Sequence, residues 1–153
     1  MKRYVVVILS LMMVFAFVGC KGKSKMPFNG TVTFHSMSVE IPEDFIRDSA
    51  RSSEDLWAYE QGGYKKSILI SRNDITVEPS ALLESYGAYI VENGGNAEIT
   101  SFQEQAAVRL NYQKDELFCR EMMFCYGGSA YSIAMRGGTA EEFSTLLDTV
   151  ELK

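Results

Sequence analysis

The chain has 153 residues, 15 basic and 20 acidic, for a net charge of −5 at neutral pH. This acidity argues against the nucleic-acid-binding classes, which need a basic face to neutralise phosphates. A hydrophobic share of 46% suffices for one domain with a real core, and the sequence holds no internal repeat or low-complexity tract.

Lys2 and Arg3 open the chain with positive charge, and residues 4–18, YVVVILSLMMVFAFV, follow without any. An uncharged apolar run of about fifteen residues has the length of a signal-peptide core and falls short of a full membrane span. Gly19 then precedes Cys20. The segment Phe17-Val18-Gly19-Cys20 resembles the lipobox of bacterial lipoprotein signals. That resemblance implies cleavage between Gly19 and Cys20 and diacylglyceryl transfer to the Cys20 thiol. Two or three acyl chains anchor a protein durably, where a single chain binds only marginally. The expected organisation is a signal peptide over 1–19, a lipidated cysteine and tether over 20–30, and a single domain over 31–153. Loss of Lys2 and Arg3 leaves 13 basic against 20 acidic residues, a net of −7. The implied location is the extracytoplasmic side of the cell envelope: the outer membrane in a Gram-negative cell, the cell membrane in a Gram-positive one.

The tether KGKSKMPFNG is rich in lysine and glycine and, fully extended, spans ~35 Å. Strands are predicted at Thr31–Phe34, Ser38–Ile41, Leu56–Glu60 and Ser67–Ser71, with Pro42 stopping the second and Gln61–Tyr64 turning between the last two. Residues 44–55 are polar and read as loop. Residues 79–92 change period: Leu82, Leu83, Tyr86, Tyr89 and Ile90 recur at helical spacing as one apolar face. Pro79 suits the first turn of that helix and Gly94-Gly95 its stop. Strands follow at Ile99–Phe102, Ala106–Tyr112, Leu117–Tyr126 and Ala130–Met135, with Lys114-Asp115 and Gly127-Gly128 as turns. Thr139 to Glu142 spells a capping box ahead of a helix whose stripe is Phe143, Leu146 and Leu147. The expected fold class is α+β: an antiparallel sheet of about six to eight strands covered by two main amphipathic helices.

Three stretches carry a family resemblance. Met37-Ser38-Val39-Glu40-Ile41-Pro42-Glu43-Asp44-Phe45 is similar to the opening strand of PsbP/Mog-like domains, including the DcrB-type lipoproteins. The helix at 79–92 lies where that family has one. Tyr131-Ser132-Ile133 and then Glu142 to Val150 resemble its last strand and closing helix. The resemblance implies binding or assembly roles and carries no shared catalytic set.

Cys119 and Cys125 fall on one predicted strand, about 20 Å apart, well beyond the ~7 Å limit for a disulfide, so both are expected as free thiols. His35 is the only histidine. It completes no Cys/His zinc set and has no positioned acid/base partner in the sequence. The acidic cluster Glu40, Glu43, Asp44, Asp48, Glu54 and Asp55 lacks calcium-loop spacing and reads as a solvated face. No catalytic, cofactor or metal motif is present. The leading expectation is therefore a membrane-anchored, non-enzymatic envelope lipoprotein that binds a protein partner or stabilises an envelope assembly. The alternative is a small-ligand or glycan-binding surface lipoprotein, with Trp57, Tyr59 and Tyr64 as the aromatic contacts.

Overall fold

A computed structural model describes residues 26–153. Gly19, Cys20 and the signal segment lie outside the described residues. The chain runs β1 (Phe28–Phe34), β2 (Met37–Pro42), β3 (Ile46–Arg47), β4 (Leu56–Gln61), β5 (Lys66–Asn73) and α1 (Pro79–Glu92). It continues through β6 (Asn96–Phe102), β7 (Gln105–Lys114), β8 (Leu117–Tyr126), β9 (Ser129–Arg136), α2 (Ala140–Asp148) and β10 (Glu151–Leu152).

These ten strands form two sheets rather than one sheet of six to eight. The smaller is ordered β1-β2-β10 and the larger β3-β4-β5-β9-β8-β7-β6. The two extra strands, β3 and β10, have two residues each and carry no periodicity of their own. Pairing defines them: Ile46 lies opposite Glu60, and Glu151 opposite Ser38. β1 also starts at Phe28, inside the segment expected as tether. Phe28 faces Pro42, the Glu43 amide donates to the Pro27 carbonyl at 3.0 Å, and the Asn29 side chain donates to the Glu43 carbonyl at 3.0 Å. Backbone partners outweigh a weak local propensity here.

The larger sheet is a middle layer over part of its width. Alternate residues of β7 and β8 serve opposite sides. Ala107, Met122 and Phe124 join the main core with Met37, Val39 and Ile41 of β2 and Phe143, Leu146 and Leu147 of α2. Val108 and Leu110 join a second cluster with Leu82 and Ile90 of α1. Strands apolar on both faces explain the near-continuous hydrophobic runs of these segments. In the main core Phe124 stacks on Tyr131 at 5.7 Å between centroids and meets Phe102 at 4.9 Å. Full burial of a side chain such as Ile133 is worth roughly 1.5–3 kcal/mol.

The helix ends follow local chemistry. The Thr139 hydroxyl accepts from the Glu142 amide at 3.1 Å, and the Thr139 amide donates to Glu142 Oε2 at 2.7 Å, completing the capping box. Glu142 Oε1 also accepts from Lys66 Nζ at 2.7 Å, tying α2 to β5. Pro79 opens α1, and Gly94 takes φ 72° just past its end. Gly95 leaves no room for a side chain, since a Cβ there would lie 2.5 Å from the Asn111 carbonyl oxygen.

One turn differs from expectation, and a second forms without the usual glycine. Asp115-Glu116, not Lys114-Asp115, closes β7 onto β8, with φ of 50° and 65°; Gln103-Glu104 closes β6 onto β7 with 46° and 65°. Positive φ at both central residues is the geometry that matches strand twist in a two-residue hairpin, and glycine normally supplies it. Only Gly127-Gly128, between β8 and β9, follows that habit.

Candidate functional site

α1 packs chiefly on β6 and β7. Beyond its flank the same sheet face continues. The register aligns Leu110, Glu121, Ala134, Leu69 and Ala58 in one row across β7, β8, β9, β5 and β4. Leu110 is covered by the helix. Glu121 is the next residue in that row, and the side chains after it are small or aliphatic. A cleft of about 430 Å³ opens at this step, lined by Ser85, Tyr86, Tyr89 and Ile90 of α1 and by Leu110, Tyr112, Lys114 and Glu121 of the sheet.

This position accounts for a departure from the helical pattern. Five apolar positions were expected to be buried on one stripe, yet only Leu82 and Ile90 are buried. Tyr86 and Tyr89 are 46% and 55% exposed. The stripe is wider than the strands beneath it, so its two tyrosines overhang the cleft instead of sealing it.

Glu121 is half-buried. The Ser132 hydroxyl donates to Oε1, and the Tyr112 hydroxyl donates to Oε2 at 3.4 Å. Burial pushes the carboxyl above its ordinary range, and the two hydroxyl donors offset that only in part. Tyr112 is pushed up as well, first by burial and then by the charge of Glu121. No ion pair within 4.0 Å engages Glu121 among the described residues. Arg136, on neighbouring β9, instead reaches Asp115 at 3.3 Å. The site can thus present acceptor oxygens and aromatic faces together.

The aromatic candidates named from sequence do not share a surface. Tyr59 is buried in the main core. Trp57 is half-buried on the same strand face, edge-on to Phe34 at 5.0 Å, with the Arg47 guanidinium 4.2 Å from its ring centre. Tyr64 stands in the β4–β5 turn at φ 67°, where its hydroxyl donates to Asp48 at 3.2 Å. On β8, Met122 and Phe124 are buried, whereas Phe118 is 46% exposed beneath the Arg120 guanidinium.

His35 has more company than the sequence indicated. Its Nε2 lies 3.2 Å from Asp55 and 3.1 Å from the Glu54 carbonyl; Arg72 donates to Asp55 at 3.0 Å and also contacts Asp74. This network joins the β1–β2 turn to the end of β5 and continues to Ser129, whose hydroxyl donates to Asp74 at 3.3 Å. Cys119 and Cys125 are free. The Cys125 thiol donates to the Val77 carbonyl at 3.2 Å and accepts from the Val77 amide at 3.4 Å, fastening the approach to α1. Among the described residues no group of three or more His, Cys, Asp or Glu is gathered closely enough to hold a metal ion, and no helix is long and apolar enough to cross a membrane.

Sequence reasoning passed over Glu121. The available signal was a carboxylate in the strand LFCREMMFCY, on the face it shares with Cys119, Met123 and Cys125.

No protein-family model and no curated protein matches the chain. Solved structures are similar in backbone. The solution structure of cyanobacterial PsbP (CyanoP) from Synechocystis sp. PCC 6803 aligns with 90% of this chain and 99% of its own, at 12% identity and TM-score 0.62. A crystal structure from Bacteroides thetaiotaomicron VPI-5482 aligns with 84% of this chain and 49% of its own, at 14% identity and TM-score 0.50. Likeness at such identity bears on the fold and not on the activity. The domain is an α+β protein with a PsbP-like fold.

Proposed function

We propose that this chain is a lipid-anchored envelope protein whose domain is a binding module for a protein partner and has no catalytic activity of its own. The observation that carries the reading is the pair Tyr86 and Tyr89, held half exposed on α1 beside a formed cleft. Tyrosines presented this way concentrate at interfaces, because they bury large area while losing little side-chain entropy. The anchor rests on Lys2, Arg3, the apolar run and the Phe17-Val18-Gly19-Cys20 segment.

Two experiments test the two halves. A photocrosslinking residue at position 86, followed by mass spectrometry of cell envelopes, should capture one reproducible partner; capture of none under several growth conditions would end the reading. Cys20→Ser should abolish lipid labelling and release the chain from membranes, and unchanged labelling would remove the anchor.

A further inference from the structure

We propose that the cleft beneath α1 receives a basic side chain of the protein partner, with the Glu121 carboxylate as counter-ion and Tyr86, Tyr89 and Tyr112 as its aromatic walls. This assignment rests on the binding-module reading and specifies its chemistry.

The first ground is the unfinished coordination of Glu121. An ionised carboxylate offers about four acceptor positions. Two hydroxyls, from Ser132 and Tyr112, occupy two of them. Hydroxyl donors solvate a half-buried carboxylate without neutralising it, and burying a charge without an opposite charge is costly. The neighbouring cations leave that position open. Arg136 is turned to Asp115, and Lys114, although it lines the cleft, makes no ion pair with Glu121.

The second ground is the wall. Tyrosine faces attract an ammonium or guanidinium within about 6 Å of the ring, and they pack the aliphatic stem behind it. Tyr86 and Tyr89 line the same cleft as the carboxylate from α1, and Tyr112 lines it from β7 with its hydroxyl on Glu121. A cation entering here meets opposite charge at the floor and ring faces at the sides. An anion would meet Glu121 first and only Lys114 in support. A purely apolar group would leave the carboxylate uncompensated.

The third ground is size. About 430 Å³ lies within the range of sites that enclose a ligand group, and it exceeds what one lysine or arginine side chain fills.

The test uses the full chain in polyoxyethylene-ether micelles, which present neither an ammonium nor a sugar headgroup. Side-chain NMR of Tyr86, Tyr89 and Glu121 is followed during titration with Nα-acetyl-lysine N-methylamide and its arginine counterpart. Nα-acetyl-norleucine and Nα-acetyl-glutamate N-methylamides are the controls. Saturable shifts with the basic probes alone are expected. Glu121→Gln should weaken them about tenfold or more, consistent with loss of a charge-assisted contact, while Lys114→Gln should leave them equal or stronger. Equal binding of norleucine, glutamate binding that is lost in Lys114→Gln, or no saturable shift would each overturn the assignment. If position 86 still captures its partner and Glu121→Gln does not reduce that capture, the cation site falls and the binding module stands. If the basic probes bind as described and no partner is captured, the module reading falls and the site stands.

Discussion

The Gln103 side chain grips the end of the chain from both sides: its amide nitrogen donates to the Val150 carbonyl, and its amide oxygen accepts from the Leu152 amide at 3.4 Å. Gln103 itself sits at φ 46° in the β6–β7 turn. One residue therefore holds an unfavourable backbone conformation and a link from the large sheet to β10. Gln103→Ala keeps the strain and removes the link. It should cost about 1–2 kcal/mol, the value of two modest hydrogen bonds with one carbonyl left half-buried. Thermal unfolding measures the loss, and amide exchange at Leu152 should accelerate. An unchanged midpoint and unchanged exchange would show the clamp to be idle.

Glu121→Gln should raise stability at neutral and alkaline pH. Burial raises the folded-state pKa of Glu121, so the folded chain binds this proton more tightly than the unfolded one. The contribution of Glu121 is most favourable below the unfolded carboxylate range, and it is lost as pH rises through the raised folded value. The amide removes that loss. A gain on the order of 1 kcal/mol, about 3 °C in Tm, is expected at pH 8 and should vanish in acid. A destabilised variant at pH 8 would contradict this.

Glu142 has the opposite sign. Burial pushes its carboxyl up, but Lys66 Nζ and the Thr139 amide more than offset this and hold it below the usual range. Its contribution is present above the unfolded carboxylate pKa and is lost as pH falls through the lowered folded value. Glu142→Gln retains a capping residue and loses the ion pair. At pH 7 the cost should be about 0.5 kcal/mol, because both side chains are partly solvated, and salt should reduce it. Denaturant midpoints for both proteins should converge near the acid limit.

Gly95→Ala should destabilise the joint between α1 and β6. The added methyl would lie 2.5 Å from the Asn111 oxygen, 2.8 Å from Ile90 Cγ2 and 2.9 Å from Tyr112 Cβ. Two of these neighbours cannot yield without moving β7. Overpacking of this kind costs about 1–3 kcal/mol. Because Ile90 and Tyr112 also line the cleft, the Tyr86 and Tyr89 ring resonances should shift together with the loss of stability.

Features decided within a few residues were legible in the sequence. The Thr139–Glu142 capping box, the Pro79 start and the β8–β9 turn at Gly127-Gly128 depend on local hydrogen bonds and allowed φ values. Features decided across the sheet were not. β3 and β10 exist through their pairing partners, and Gln103-Glu104 turns without glycine. Trp57 and Tyr59 were legible as one strand face, but Tyr64 was directed elsewhere by Asp48. The cleft was the least legible feature. It depends on where the edge of a helix falls relative to Glu121, and the strand sequence does not contain that offset.

The order of the strands also dictates when the domain can close during synthesis. β6 to β9 form a meander in which each strand pairs with the one before it, so it can zip as it emerges. β4 and β5 have to wait, because the open side of β5 is completed only when Asn73 meets Ala130. β2 waits longer still, until Glu151 arrives opposite Ser38. β2 and β5 thus have their full set of partners only after Glu151 and Ala130, respectively, have been made. A polypeptide that closes so late leaves the edges of its early strands without their full sheet for most of its synthesis, and those edges stay open to wrong pairing until then.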